Sequence, residues 1–146
     1  MCSYCGCEAI TLIGRFMGEH VEISNALSEL RTACHDGDGE RTRAAAATMV
    51  RLLTPHTHAE EVGLFAVMRE DETFTDHIDS LCGEHRSIDA LLSRIAAGEF
   101  AGFAEFEHVL HHHIEREDNG LFPAAHIAMS GEDWTRIEAL TPGAGP

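Results

Sequence analysis

"HTHAEEVGLF" (56–65) and "HHIEREDNGLF" (112–122) align on their shared Leu-Phe pair. His56 then falls on His113, Glu60 on Glu117, Glu61 on Asp118 and Leu64 on Leu121. Each stretch writes His-x-x-x-Glu, a four-residue step that in a helix puts both side chains on one face about 6 Å apart. Reading outward, "GEHVEISNALSEL" (18–30) aligns with "GEHRSIDALLSRI" (83–95) on a common Gly-Glu-His start. The chain therefore reads as a helical hairpin written twice, the first hairpin lengthened by the loop "CHDGDG" (34–39).

The apolar periodicity gives the fold class. Ile13, Phe16, Ile23, Leu27 and Leu30 form one three-and-four stripe, and Met49, Leu53, Leu64 and Val67 a second. Ile78, Leu81, Ile88, Leu92 and Ile95 form a third, and Phe106, Leu110, Leu121 and Ala124 a fourth. "REDETF" and "AAGEFAG" interrupt them as turns, and a short terminal helix near "MSGEDW" is expected to pack Trp134 on the rest. Four stripes of this length predict an all-α antiparallel up-down four-helix bundle with a pseudo-twofold hairpin repeat. The expected division is a Cys-rich segment 1–7, the bundle over 8–128, and a short helix and tail over 129–146.

A chain of 146 residues with 44% apolar content is sized for one core. Its formal charge of −15 repels nucleic-acid backbones and anionic membrane faces. No apolar run approaches the roughly 20 residues that span a bilayer, and the expected location is cytoplasmic. Five cysteines, three of them in the first seven residues, fit reduced thiols better than a disulfide framework.

Inside the apolar stripes stand His20, His56, Glu60, His85, His113 and Glu117. Burying one unpaired carboxylate costs several kcal/mol and two add their repulsion, so these groups require a common partner. The hairpin repeat brings four imidazoles and two carboxylates to one level. That donor set suits two borderline metal ions, each held by two histidines and bridged by both carboxylates; calcium or magnesium would want more oxygen. The alternative to a cation is a polar network of these side chains alone. The bridge on the fourth helix is Glu117 by symmetry with Glu60, or Asp118 by a five-residue step from His113. Pro55, beside His56, removes a helical hydrogen bond and either shapes the site or starts a new helical segment. His35, His58, His77, His108, His111, His112 and His126 fall off the stripes or near helix ends and read as solvated.

The order His, His-x-x-x-Glu, His, His-x-x-x-Glu over four helices resembles a hemerythrin-like (HHE cation-binding) domain across roughly residues 8 to 128. The resemblance implies a non-heme di-iron centre with an oxo or hydroxo bridge, two iron ions held by His20, His56, Glu60, His85, His113 and Glu117. It implies a small ligand, O2, hydrogen peroxide or nitric oxide, bound or turned over in oxidative or nitrosative stress defence, with catalase-like peroxide turnover as one form. The start "MCSYCGC" is similar to that of actinobacterial members. The oxygen-carrying members have a further histidine four residues before the one matching His85; here that position is Leu81. This departure weakens the case for a reversible carrier.

Cys2, Cys5 and Cys7 write C-x-x-C-x-C, a spacing able to hold one soft metal such as zinc at a second, thiolate site. The same cysteines also read as a redox-active thiol cluster or an unpaired flexible tail, and Tyr4 lies among them. Cys82 reads as a small core residue. A second class of function fits this start: a non-catalytic iron or redox sensor that signals through the Cys-rich segment. A homodimer and a redox partner are both left open.

Overall fold

The computed structural model describes residues 10–143, and the segment with Cys2, Cys5 and Cys7 lies outside them. Helix α1 (Thr11–His35) is followed by α2 (Gly39–Glu60), a π-helical turn (Glu61–Phe65) and α3 (Ala66–Met68), which run on as one rod. α4 (Glu72–Ala96) comes next, and a 3-10 turn (Phe100–Gly102) leads into α5 (Phe103–Arg116). A second π-helical turn (Glu117–Leu121) then joins α5 to α6 (Phe122–Ala128), and α7 (Gly131–Leu140) closes the described chain. The described residues are all-helical. None of these helices is long and apolar enough to cross a membrane.

Local chemistry sets the ends. Gly37, at φ +69, turns the chain after α1, and Asp38 caps α2 by accepting from the Arg41 amide. Asp71 caps α4 in the same way through Thr73, and Ser130 with Asp133 makes a capping box on α7. Each such cap is worth about 1 kcal/mol. Pro55 sits inside α2, whose helix continues through it from Gly39 to Glu60.

The buried side chains fall into two apolar clusters. One joins Leu12, Ile13 and Phe16 to Leu64, Phe65, Met68, Leu81, Phe122 and Ile137. The other joins Ile23, Leu27 and Leu30 to Met49, Leu53, Ile88, Leu92, Phe106 and Leu110. α1 packs on α2, α2 on α4, α4 on α5 and α5 on α1, which closes a ring of neighbours. Cys82 is a buried member of the first cluster. Trp134 is partly buried against that cluster, while Ile137 is the side chain of α7 that enters it completely.

One stripe position is displaced. Ala124 is only partly buried and Ala125 fully so. The π-helical turn before them adds a residue to the helical repeat, which rotates the following stripe by one position.

Candidate metal centre

Between the two apolar clusters lies a polar layer. On α1 it falls between Met17 and Ile23, on α2 after Leu53, on α4 between Leu81 and Ile88, and on α5 after Leu110. It contains the six residues singled out by the sequence, all buried: His20, His56, Glu60, His85, His113 and Glu117. The structure brings them together as two overlapping groups, His20, His56, Glu60 and Glu117, then Glu60, His85, His113 and Glu117. Within each group the candidate ligand atoms lie within 4.8 Å of one another, and both carboxylates belong to both groups.

The inward atoms are the imidazole Nε2 nitrogens. His20 Nε2 lies 3.0 Å from Glu117 Oε1, and His56 Nε2 3.3 Å from Glu60 Oε1. His85 Nε2 lies 3.3 Å from Glu60 Oε1, and His113 Nε2 3.2 Å from Glu117 Oε2. The ring pairs repeat the hairpin symmetry, with centroids 4.7 Å apart for His20 and His56 and 4.6 Å apart for His85 and His113.

The outward nitrogens explain the inward ones. His20 Nδ1 donates to Asp118 at 2.8 Å, His56 Nδ1 to Glu19 at 2.7 Å, His85 Nδ1 to Glu61 at 2.6 Å and His113 Nδ1 to Glu84 at 2.8 Å. A carboxylate at Nδ1 fixes the hydrogen there and leaves the Nε2 lone pair pointing inward. The outer carboxylates form a cycle. Glu19 of α1 holds the histidine of α2, Glu61 after α2 holds that of α4, Glu84 of α4 holds that of α5, and Asp118 after α5 holds that of α1. Arg15 donates to Glu19, and Arg116 pairs with Glu84.

Asp118 is thus placed on the outer side of His20, while Glu117 is the carboxylate that converges with Glu60. Sequence reasoning gave Glu19, Glu61 and Glu84 no role. The signal was nonetheless present: the glutamate preceding His20 recurs before His85, and the acidic residue after Glu60 recurs after Glu117.

The electrostatics call for positive charge. Burial opposes protonation of His20, yet the Asp118 carboxylate at Nδ1 and the Glu117 carboxylate beside Nε2 push it up to about 10. Burial likewise opposes His56, which Glu60 and Glu19 raise to about 9. His85 rises to about 12 against its burial through Glu117, Glu60 and Glu61. Glu117, which burial alone would push up, is held well below the usual carboxylate range by His113, His20 and His85.

These residues fit metal ions on a separate count. Among the described residues, the buried side-chain atoms without a hydrogen-bond partner are His20 Nε2, His56 Nε2, both oxygens of Glu60, both oxygens of Glu117, and one nitrogen elsewhere, His126 Nδ1. Leaving such atoms unsatisfied costs about 1–3 kcal/mol each, more when charged, so six converging orphans indicate cations as the missing partners. His85 Nε2 faces His113 Nε2 at 3.0 Å, an approach that likewise requires a proton or cation between two lone pairs.

An apolar shell surrounds the layer. Phe122 stacks on His20 at 5.8 Å, Phe65 on His85 at 5.6 Å, and Phe16 meets His56 edge-on at 5.7 Å. Two surface recesses approach the His20 and His56 half. One is lined by Met17, His20, Val21, Asn25, Ile114 and Asp118, the other by Arg15, Glu19, Arg51, Pro55 and His56.

No curated protein and no solved structure is a match for the chain. Its residues 11–125 match the hemerythrin HHE cation binding domain model. That stretch contains all six converging residues and their four outer carboxylates, and the chain belongs to the hemerythrin HHE cation-binding family.

Proposed function

We propose that this chain is a non-heme di-iron protein that binds or turns over a small oxidant, O2, hydrogen peroxide or nitric oxide, in oxidative or nitrosative stress defence. The observation that carries the reading is the convergence of six orphan buried atoms in two ligand groups that share both glutamates. His20 and His56 would hold one iron and His85 and His113 the other, with Glu60 and Glu117 available to both. Four imidazoles and two carboxylates are a donor set for borderline metals rather than for calcium or magnesium.

The iron pair supplies electron transfer to a small oxidant when bound. The chain does the rest. Asp118, Glu19, Glu61 and Glu84 keep the Nδ1 protons in place and the Nε2 lone pairs free for metal. Phe16, Phe65 and Phe122 exclude water and restrict the approach to small molecules. The scaffold of this reading is an antiparallel up-down four-helix bundle over residues 8–128, made of α1, the α2 rod, α4 and the α5 rod. The closed ring of helix contacts and the two apolar clusters on either side of the polar layer support it.

The test uses chain purified without a His tag, with elemental analysis and absorbance recorded before and after added peroxide. Two irons per chain, oxo-bridged near-ultraviolet bands and repeated peroxide loss are expected. Two irons with a single stoichiometric change would reduce the reading to oxidant binding. A folded chain that holds zinc alone, or no metal, would overturn it.

A further inference from the structure

The two hairpins match in sequence but not in what covers them. Gly63 and Gly120 are equivalent positions of the aligned repeats and lie within the two π-helical turns, one following Glu60 and the other beginning at Glu117. Beyond Gly120 there is open space. A Cβ at Gly63 would stand 2.1 Å from Thr141 Oγ1 and 3.1 Å from the Ile137 carbonyl, so the end of α7 lies directly on the first turn. Thr141 is itself buried, and its hydroxyl donates to Ile137 O at 2.6 Å.

A second connection starts from the residue after Thr141. Arg15 Nη1 donates to the Pro142 carbonyl at 2.9 Å, and its Nε donates to Glu19 at 3.1 Å. Glu19 in turn accepts from His56 Nδ1. Residues 141–142 therefore touch the polar layer by two routes: through Gly63 to the turn that follows Glu60 and begins at Glu61, and through Arg15 and Glu19 to His56. The counterpart groups, Asp118 and Glu84, are reached by neither. The family match ends at residue 125, before α7 begins.

We infer that α7 and residues 141–142 are a positioning element of the metal centre, holding His56, Glu60 and, through Glu61, His85, while His20 and His113 are oriented without them. The inference rests on the metal reading above. A π-helical turn is a rare single-turn insertion in an α-helix, found frequently at functional sites. Packing against Thr141 and Ile137 holds this one, which fixes the carboxylates on either side of its start. The first hairpin is held from outside and the second is not, so each of the two cation groups contains one histidine whose outer support depends on α7 and one whose support does not.

The test uses the full chain labelled with 15N-histidine and loaded with Zn(II) as a diamagnetic probe. Wild type should take up two zinc ions and give four protected Nδ1–H signals, assigned through Glu19→Gln, Glu61→Gln, Glu84→Gln and Asp118→Asn. Arg15→Met should move the His56 signal alone. Ile137→Ala, with Thr141→Val as a milder variant that keeps the core volume, should move the His56 and His85 signals together. Both should weaken zinc about 10-fold in competition with a chromophoric chelator, the low end of the loss expected when a ligand's outer support is removed. Leu92→Ala, in the far apolar cluster, is the stability control and should move no signal.

The α7 variants leaving the His56 and His85 signals and the zinc affinity at wild-type values would overturn the inference alone, as would a uniform shift of all four signals. A wild-type chain that takes up no zinc would overturn the metal reading and this inference with it.

Discussion

Glu19 stands immediately before His20 in the chain yet serves His56 on the neighbouring helix, accepting from its Nδ1 at 2.7 Å. Adjacent residues on a helix point about 100° apart, so a glutamate one step from an inward histidine faces the seam with the next helix. Glu84 repeats the arrangement for His113. The Gly-Glu-His start is thus one device used twice: a histidine aimed inward, and a carboxylate aimed at the histidine next door.

Removing that carboxylate's charge at constant size isolates its effect. Glu19→Gln and Glu84→Gln are expected to weaken metal binding about 10- to 100-fold each, because the facing imidazole loses the partner that fixes its tautomer and raises its basicity. Helical circular dichroism should be unchanged, since both side chains lie at the edge of the core. Competition titration checks it; affinities within twofold of wild type would mean that packing alone orients the rings.

Chelation should cost stability rather than fold. A ligand at 100 times its dissociation constant stabilises by about 2.7 kcal/mol, and a chain of this size gains about 2–4 °C per kcal/mol. Each bound cation at that ratio is then expected to raise the melting temperature by about 5 to 10 °C. The metal-free chain should still melt cooperatively, because two apolar clusters persist on either side of the layer. Calorimetry before and after dialysis against chelator decides it: equal melting temperatures would mean that cations do not occupy the layer.

Most of the core was readable from periodicity, because Ile13, Phe16, Ile23, Leu27 and Leu30 face the interior by helical spacing alone. The six inward residues were readable for the same reason, since each stands where an apolar side chain belongs. Two things were not. The outer carboxylates lie at partly exposed positions, where an acidic residue needs no explanation until its neighbour is known. The π-helical turns break the spacing on which the reading depends, which is why Ala124 was expected where Ala125 is buried. Both turns fall at the carboxylates of the candidate centre, where a local rule yields to the geometry of a site.

Pro55 offers a gain in stability. It deprives the Arg51 carbonyl of its helical donor within an otherwise continuous α2, and its own side chain is exposed. An interior proline costs a helix about 3 kcal/mol, part of which it returns by restricting the unfolded chain. Pro55→Ala is expected to stabilise the metal-free protein by about 1–2 kcal/mol. Denaturant melts supply the number, and elemental analysis shows whether the step beside His56 still binds metal. A destabilised variant would reveal that the proline's shape is required next to the site.

The two equivalent glycines should respond to alanine in opposite directions. At Gly63 the new methyl meets Thr141 Oγ1 at 2.1 Å and the Ile137 backbone carbonyl at 3.1 Å. The hydroxyl can rotate away only by giving up its bond to Ile137, and the carbonyl can yield only if α7 shifts. Overpacking of this kind costs about 1–3 kcal/mol. At Gly120 an added Cβ would meet nothing within 4 Å beyond its own stretch of helix, and alanine gains up to about 1 kcal/mol from helical propensity and a less flexible unfolded chain. Gly63→Ala should therefore lower the melting temperature and Gly120→Ala hold or raise it, although the aligned repeats treat the positions as the same. Equal losses at both would mean that the π-helical turns themselves demand glycine, and the packing of α7 would then not be what distinguishes the first hairpin from the second.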